Sequence, residues 1–369
     1  QEWRNETPDN EQMYEDIKGI AGMGNFLKGI DSLHKENALE NILKRTRQRS
    51  LGHSRLLKYV AVFLLPLLLG GTLFYFLKFK QQAGEKLPVS VAKQILPGGP
   101  KAILYLSDGQ VIDLNRTIDS VIVDKHSGQE ITLSKDINAL NYSGVTGNTT
   151  QPKELAYNRI EVPRGGEYML VLSDGTKVWL NSETRLEYPL TFGEYSRDVR
   201  LSGEAYFEVT KDEARHFNVI MEGATIEVTG TSFNASCYPG EGQCKAVLES
   251  GKINLRTEYG VAAVDVGECA SYDIVSGKVT VEAVDLKYFT SWRYGTFYFY
   301  NTPLSEIVQK LGRWYDVNFK FADESLRDVC FSGAALRSKS IDFMLELLAS
   351  TQSLKFDIQG DGIIMIYKK

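Results

Sequence analysis

Chemistry needs nucleophiles, metal ligands or paired acids in working patterns, and this chain offers few of them. After residue 77 it has two histidines, His126 and His216, and neither stands in a Cys/His or His-x-x-x-His spacing that would gather ligands around zinc. No metal and no cofactor is therefore expected. The Gly-Gly pairs at Gly98 and Gly165 precede strand-like sequence rather than a helix, so they read as turns and not as a phosphate cradle. Asp212 and Glu213 are adjacent acids of the kind glycoside hydrolysis recruits, but such neighbours are common on solvated turns and carry almost no specificity. With no nucleophile elbow and no dinucleotide fingerprint either, the sequence reads as that of a non-enzyme.

The cysteines carry a different message. Cys237, Cys244, Cys269 and Cys330 all follow residue 77, as an oxidising compartment would permit, and four cysteines allow three full pairings. Cys237 and Cys244 bracket Tyr-Pro-Gly-Glu-Gly-Gln, a turn sequence. They either face one another across a hairpin as a disulfide or remain two free, buried thiols.

The elements that must position these residues begin with a membrane span. From Tyr59 to Leu77 the chain is uncharged, and twelve of those nineteen residues are Leu, Val or Phe. As a helix the run rises about 28 Å, close to the roughly 30 Å thickness of a bilayer's hydrocarbon core. Because 58 residues precede it and no small-x-small site follows, a cleaved signal peptide is not expected. Lys44, Arg45, Arg47, Arg49, Arg55 and Lys58 lie before the run, against Lys78, Lys80 and Lys86 after it. The positive-inside rule then places the N-terminus in the cytoplasm and about 290 residues outside.

Over the whole chain, 43% hydrophobic and 24% charged residues with a net charge of −5 describe folded protein and give no polyanion-binding signal, so direct nucleic-acid contact is not expected. The first 40 residues hold nine acids, and apolar positions such as Met13, Ile17, Ile20, Leu27 and Ile30 recur at roughly helical spacing. Gly19, Gly22, Gly24 and Gly29 weaken any such helix by about 1 kcal/mol each, so the segment needs a partner to hold one conformation.

Beyond the span, strand and turn signals take over. PGGPKAILYLSDGQVIDLN from Pro97 and PRGGEYMLVLSDGTKVWLN from Pro163 align without a gap, with nine identities in nineteen. Each reads as a hairpin turning at Asp-Gly. Short alternating runs continue to Thr257 and suggest a sandwich or a stack of hairpins. The last 75 residues change character. Thr302 is expected to cap a helix with Pro303 at its first position and Leu304, Ile307, Val308 and Leu311 on its apolar face. Ser340 is expected to cap a second helix, and both helices to cover one face of a sheet.

LSDGTKVWLN, RDVRLSGEAYFEV, HFNV and VTGTSFNAS, in that order, resemble the successive signature blocks of the FecR domain. WRYGTFYFYNTPLSEIVQKLGRWYDVNFKF, with the later FSG and LKFDI, is similar to the C-terminal domain found in the Bacteroidetes branch of that family. The resemblance implies a multi-domain membrane protein. Its parts would be a cytoplasmic helical segment (1–57), one transmembrane helix (58–78), a membrane-proximal β region (79–157), a mainly-β FecR domain (158–285) and a small α+β domain (286–369). It further implies an anti-sigma regulator in the inner membrane, with its C-terminal region in the periplasm. One partner would be an extracytoplasmic-function sigma factor, held through Met13, Ile17, Ile20, Leu27 and Ile30. The other would be the signalling domain of a TonB-dependent outer-membrane receptor. Relatives of the family cleave themselves at a Gly-Thr bond, and Gly230-Thr231 matches that position; the plain alternative is a glycine at the start of a strand. A different class of function is a membrane-anchored module that binds a glycan on Trp179, Trp292, Trp314 and Tyr315, although the last two follow an apolar helix face.

Overall fold

The structure, a computed structural model, describes residues 95–115, 120–123, 130–134, 139–142, 156–360 and 362–369. The N-terminal segment, the span expected at 58–78, the positions Met13, Ile17, Ile20, Leu27 and Ile30, and His126 lie outside the described residues. Among the described residues no helix is long and apolar enough to cross a membrane.

Alternating side chains give each strand one buried face. In Gly166–Val171, for example, Tyr168 and Leu170 point inward while Glu167 and Met169 are less buried. Such strands assemble into two sheets. The first runs Val111–Asp113, Ile103–Tyr105, Tyr157–Val162, Thr184–Pro189, 196–202, His216–Ile220, Ala224–Val228, Ile253–Thr257, Gly260–Val264. The second runs Ser120–Val123, Glu130–Ser134, Ala139–Asn141, Gly166–Val171, Lys177–Leu180, 203–208, Ser232–Cys237, Gln243–Ser250, Glu268–Asp273, Val279–Ala283.

A single strand, Ser196–Glu208, serves both sheets and changes allegiance at Gly203. Gly203 has φ +114°, and a Cβ there would stand 2.5 Å from Thr184 Oγ1 and 2.6 Å from Thr184 Cα. Only glycine serves this corner. The inner faces close on one core that includes Leu104, Ile131 and Leu140 together with Ile160, Leu186, Phe207, Phe217, Phe233 and Leu248. The segments 79–157 and 158–285, expected as separate regions, thus contribute strands to one core. The architecture is a β sandwich.

The repeated sequence folds twice in the same way. Leu106 N donates to Gln110 O at 2.9 Å and Leu172 N to Thr176 O at 2.8 Å, while Asp108 and Asp174 accept from the amide two residues on. Gly109 and Gly175 supply φ values of +86° and +83°. One copy lies in each sheet.

A short helical passage, Lys287–Thr290 then Ser291–Tyr294, leads to the C-terminal unit. There Thr296–Pro303 pairs with Cys330–Leu336, and a separate three-stranded sheet is ordered Asn318–Phe321, Ile363–Lys368, Leu354–Ile358. The strands therefore form two small sheets rather than one. Helix α1 (Leu304–Tyr315) buries Leu304, Ile307, Val308 and Leu311, and α2 (Ile341–Thr351) buries Ile341, Met344, Leu345 and Leu348. Ser340 accepts from Phe343 N and caps α2. Thr302 does not cap α1. It pairs with Phe331 in the strand, Pro303 is the residue before the helix with ψ 144°, and Leu304 N donates to Val329 O instead. Sheet pairing has claimed the backbone that a Thr cap would have used. Sandwich and C-terminal unit fall within one compact body, Val89–Lys369.

Candidate functional site

The polar side chains of the signature blocks converge on the seam between sandwich and C-terminal unit. Asn181 closes the first block, Glu204 follows the corner glycine in the second, and Asn234 lies in the last. Glu204 joins them: its two oxygens accept from Asn181 Nδ2 at 2.7 Å and from Asn234 Nδ2 at 3.0 Å. Each amide then presents its oxygen to the C-terminal unit. Asn234 Oδ1 accepts from Trp292 Nε1 at 3.1 Å, and Asn181 Oδ1 accepts from Arg337 at 3.0 Å.

Arg337 is 2% exposed. Its guanidinium also donates to Trp292 O at 2.8 Å, lies 3.3 Å from Glu167 and covers the Trp314 ring at 3.6 Å. Burial raises the Glu167 carboxyl above its ordinary pKa, and Arg337 opposes the rise.

Three further arginines cross the seam. Arg164, in the Pro163–Gly166 turn of the second hairpin copy, donates to Gly312 O at 2.8 Å and Val317 O at 2.6 Å, and Gly165 N donates to Arg313 O at 2.7 Å. Gly312 O and Arg313 O belong to the last turn of α1 and Val317 O lies just past it, where a cation meets the negative end of the helix dipole. Arg313 on α1 answers: it lies over the Tyr238 ring at 3.6 Å and pairs with Glu183 and Glu241. Arg293 enters a cage of Tyr206, Trp179 and Tyr294 and pairs with Glu208 at 3.1 Å and Glu249 at 3.5 Å. The arrangement holds no nucleophile–base pair. Its chemistry is the holding of two bodies in register through desolvated, directional contacts.

Cys237 and Cys244 are bonded through sulfur, with Cα atoms 4.2 Å apart. The loop they close carries Tyr238 and Glu241, so it presses on Arg313. Cys269 is buried and free. Gly230-Thr231 lies at the start of Ser232–Cys237, where the Thr231 hydroxyl donates to Lys252 O at 3.1 Å. Asp212 pairs with Arg215 and Glu213 with Lys211, each on the surface, and His216 lies 3.3 Å from Glu227. Trp292, Trp314 and Tyr315 are buried, and Trp179 sits beneath Arg293, so these aromatics do not form an open stacking platform.

Nothing in the sequence alone singles out Asn181, Glu204, Asn234, Arg293 or Arg337. The first three were visible only as polar residues within the blocks, and nothing in sequence marks an arginine for burial.

The FecR protein family model matches residues 158–254, and the model described as FecR, C-terminal, matches residues 296–365. No curated protein matches the chain. Two crystal structures, at 1.65 and 2.50 Å, of a Parabacteroides distasonis protein assigned as an anti-sigma factor are similar to it. Each is 27% identical with a TM-score of 0.54, and the alignments cover 57% and 58% of this chain and 99% of that one.

Proposed function

We infer that this chain is a FecR-type anti-sigma regulator, because it matches the FecR and FecR C-terminal models in that order. The observation that carries the reading is the seam: residues from three signature blocks of the first domain meet the second domain through Glu204, Asn181 and Asn234. A joint of this kind suits a relay better than a catalyst.

In the reading we propose, residues 1–57 lie in the cytoplasm and bind an extracytoplasmic-function sigma factor by folding Met13, Ile17, Ile20, Leu27 and Ile30 against it. Residues 58–78 cross the inner membrane once. The sandwich and C-terminal unit stand in the periplasm and receive the signalling domain of a TonB-dependent outer-membrane receptor. Support for the span comes from its length and charge flanks, and for the sigma factor from the likeness to the Parabacteroides protein.

The test is co-purification of the full chain with a panel of extracytoplasmic-function sigma factors, alongside a variant carrying Ile17→Asp and Leu27→Asp. Capture by the parent and loss in the variant is the expected result. Failure of the parent to retain any extracytoplasmic-function sigma factor would end the reading.

A further inference from the structure

The described chain begins at Ile95, and it begins against the C-terminal unit. Ile95 packs on that unit's hydrophobic core. Gly98 lies so close to Trp314 that a Cβ would stand 2.6 Å from Cε3, 2.7 Å from Cζ3 and 2.8 Å from Cδ2 of the ring. Trp314 is buried and doubly held, donating Nε1–H to Arg337 O at 2.8 Å while the Arg337 guanidinium covers its ring. From Gly99 onward the chain turns to the sandwich. Gly99 N donates to Gly165 O at 3.0 Å, Lys101 N donates to Glu167 O at 3.2 Å, and Gly99–Pro100 runs parallel to Gly166–Glu167. The turn just before that partner strand is the one that caps α1 through Arg164 and Gly165. Leading segment, capping turn and the end of α1 thus form one three-part joint, built from the two Pro-x-Gly segments of the internal repeat.

We propose that the C-terminal unit grips the leading segment 95–99 directly, with Trp314 seated on Gly98, so that displacing the C-terminal unit frees this segment. Its biological use rests on the reading as a transmembrane regulator. A partner docking on the C-terminal unit acts on the chain before residue 95 through this joint, with no rearrangement inside the sandwich core.

Gly98 is the place to test it, because its φ is not in the left-handed region and alanine challenges only the ring contact. Hydrogen exchange is followed in the full chain, reconstituted in lipid nanodiscs, over peptides covering 95–101, 304–318 and 216–255. In Gly98→Ala the first two are expected to exchange about tenfold faster, the ratio that a typical overpacking cost produces, while the third keeps wild-type protection. In a Trp314→Leu background Gly98→Ala should add nothing. Wild-type protection of 95–101 in Gly98→Ala, or an equally large rise when Trp314 is already leucine, would overturn the proposal. Sigma-factor capture on the same samples separates the two readings. No capture by the wild type with exchange coupling intact ends the regulatory reading and leaves the joint; capture without coupling does the reverse.

Discussion

The indole Nε1–H of Trp292 donates to the side-chain oxygen of Asn234, 58 positions earlier, at 3.1 Å. This bond fixes which way the amide faces. With its oxygen committed to Trp292, Asn234 can only turn its nitrogen to Glu204, and Asn181 is oriented in the same way by Arg337. The seam is a fork in which every prong has one orientation, so the two units have one registered arrangement.

Replacing Asn234 by alanine leaves the Trp292 N–H and one Glu204 oxygen without partners in a buried place. The expected cost is about 1–3 kcal/mol, and Trp292→Phe, which removes the donor to Asn234 and puts a smaller ring in a buried place, should cost no less. Urea unfolding of the two variants compares them, and equal small effects would show that the fork carries no orientation.

The sandwich corner gives a sharper expectation. Gly203→Ala must either strain φ at +114° or push Thr184 away, so the urea midpoint should fall by an equivalent of roughly 2 kcal/mol or more.

Arg197 is fully buried and its guanidinium donates to Asp174 at 2.8 Å, to Thr210 O at 2.8 Å and to Arg215 O at 2.9 Å. Arg197→Met strands a carboxylate and should cost about 3–5 kcal/mol. Adding Asp174→Ala should cost less than the sum of the two single changes, a coupling that a double-mutant cycle reads directly.

Acid stability should report Glu227. Its hydrogen bond from Arg256 holds the carboxyl below the ordinary 4.5, with His216 adding to the effect. A depressed carboxylate stabilises the fold above its unfolded pKa, and that stability is lost as pH falls through the folded value. Glu227→Gln should therefore lower stability at neutral pH and flatten the further loss below about pH 4.5, as followed by circular dichroism.

Reducing the Cys237–Cys244 bond, with its separation of seven residues, opens a short loop. A stability loss of about 2–3 kcal/mol is expected from loop entropy. Because Tyr238 and Glu241 ride on that loop, exchange at the end of α1 should rise as well.

How legible this was from sequence depends on the range of the interactions. The hairpin pair at 97–115 and 163–181 was readable because Asp-Gly turns and alternation are local signals. Ser340 was readable as a cap for the same reason. Thr302 was misread because a strand partner 29 positions later, Phe331, outcompeted a good local cap. The seam was not readable at all. Asn181, Glu204 and Asn234 look like ordinary half-exposed strand residues until distant strands are paired, and Arg337 looks like a surface charge until Trp314 and Trp292 are folded around it.

A protein chain emerges from the ribosome N-terminus first, at about 5–20 residues per second. Gly98 and Trp314 are separated by 216 positions, so Gly98 is made roughly ten to forty seconds before the ring that covers it exists. Every new molecule therefore begins with residues 95–99 ungripped, and the joint closes only after Trp314 has been made. A chain that stops short of Trp314 can build its sandwich strands but can never reach the closed form.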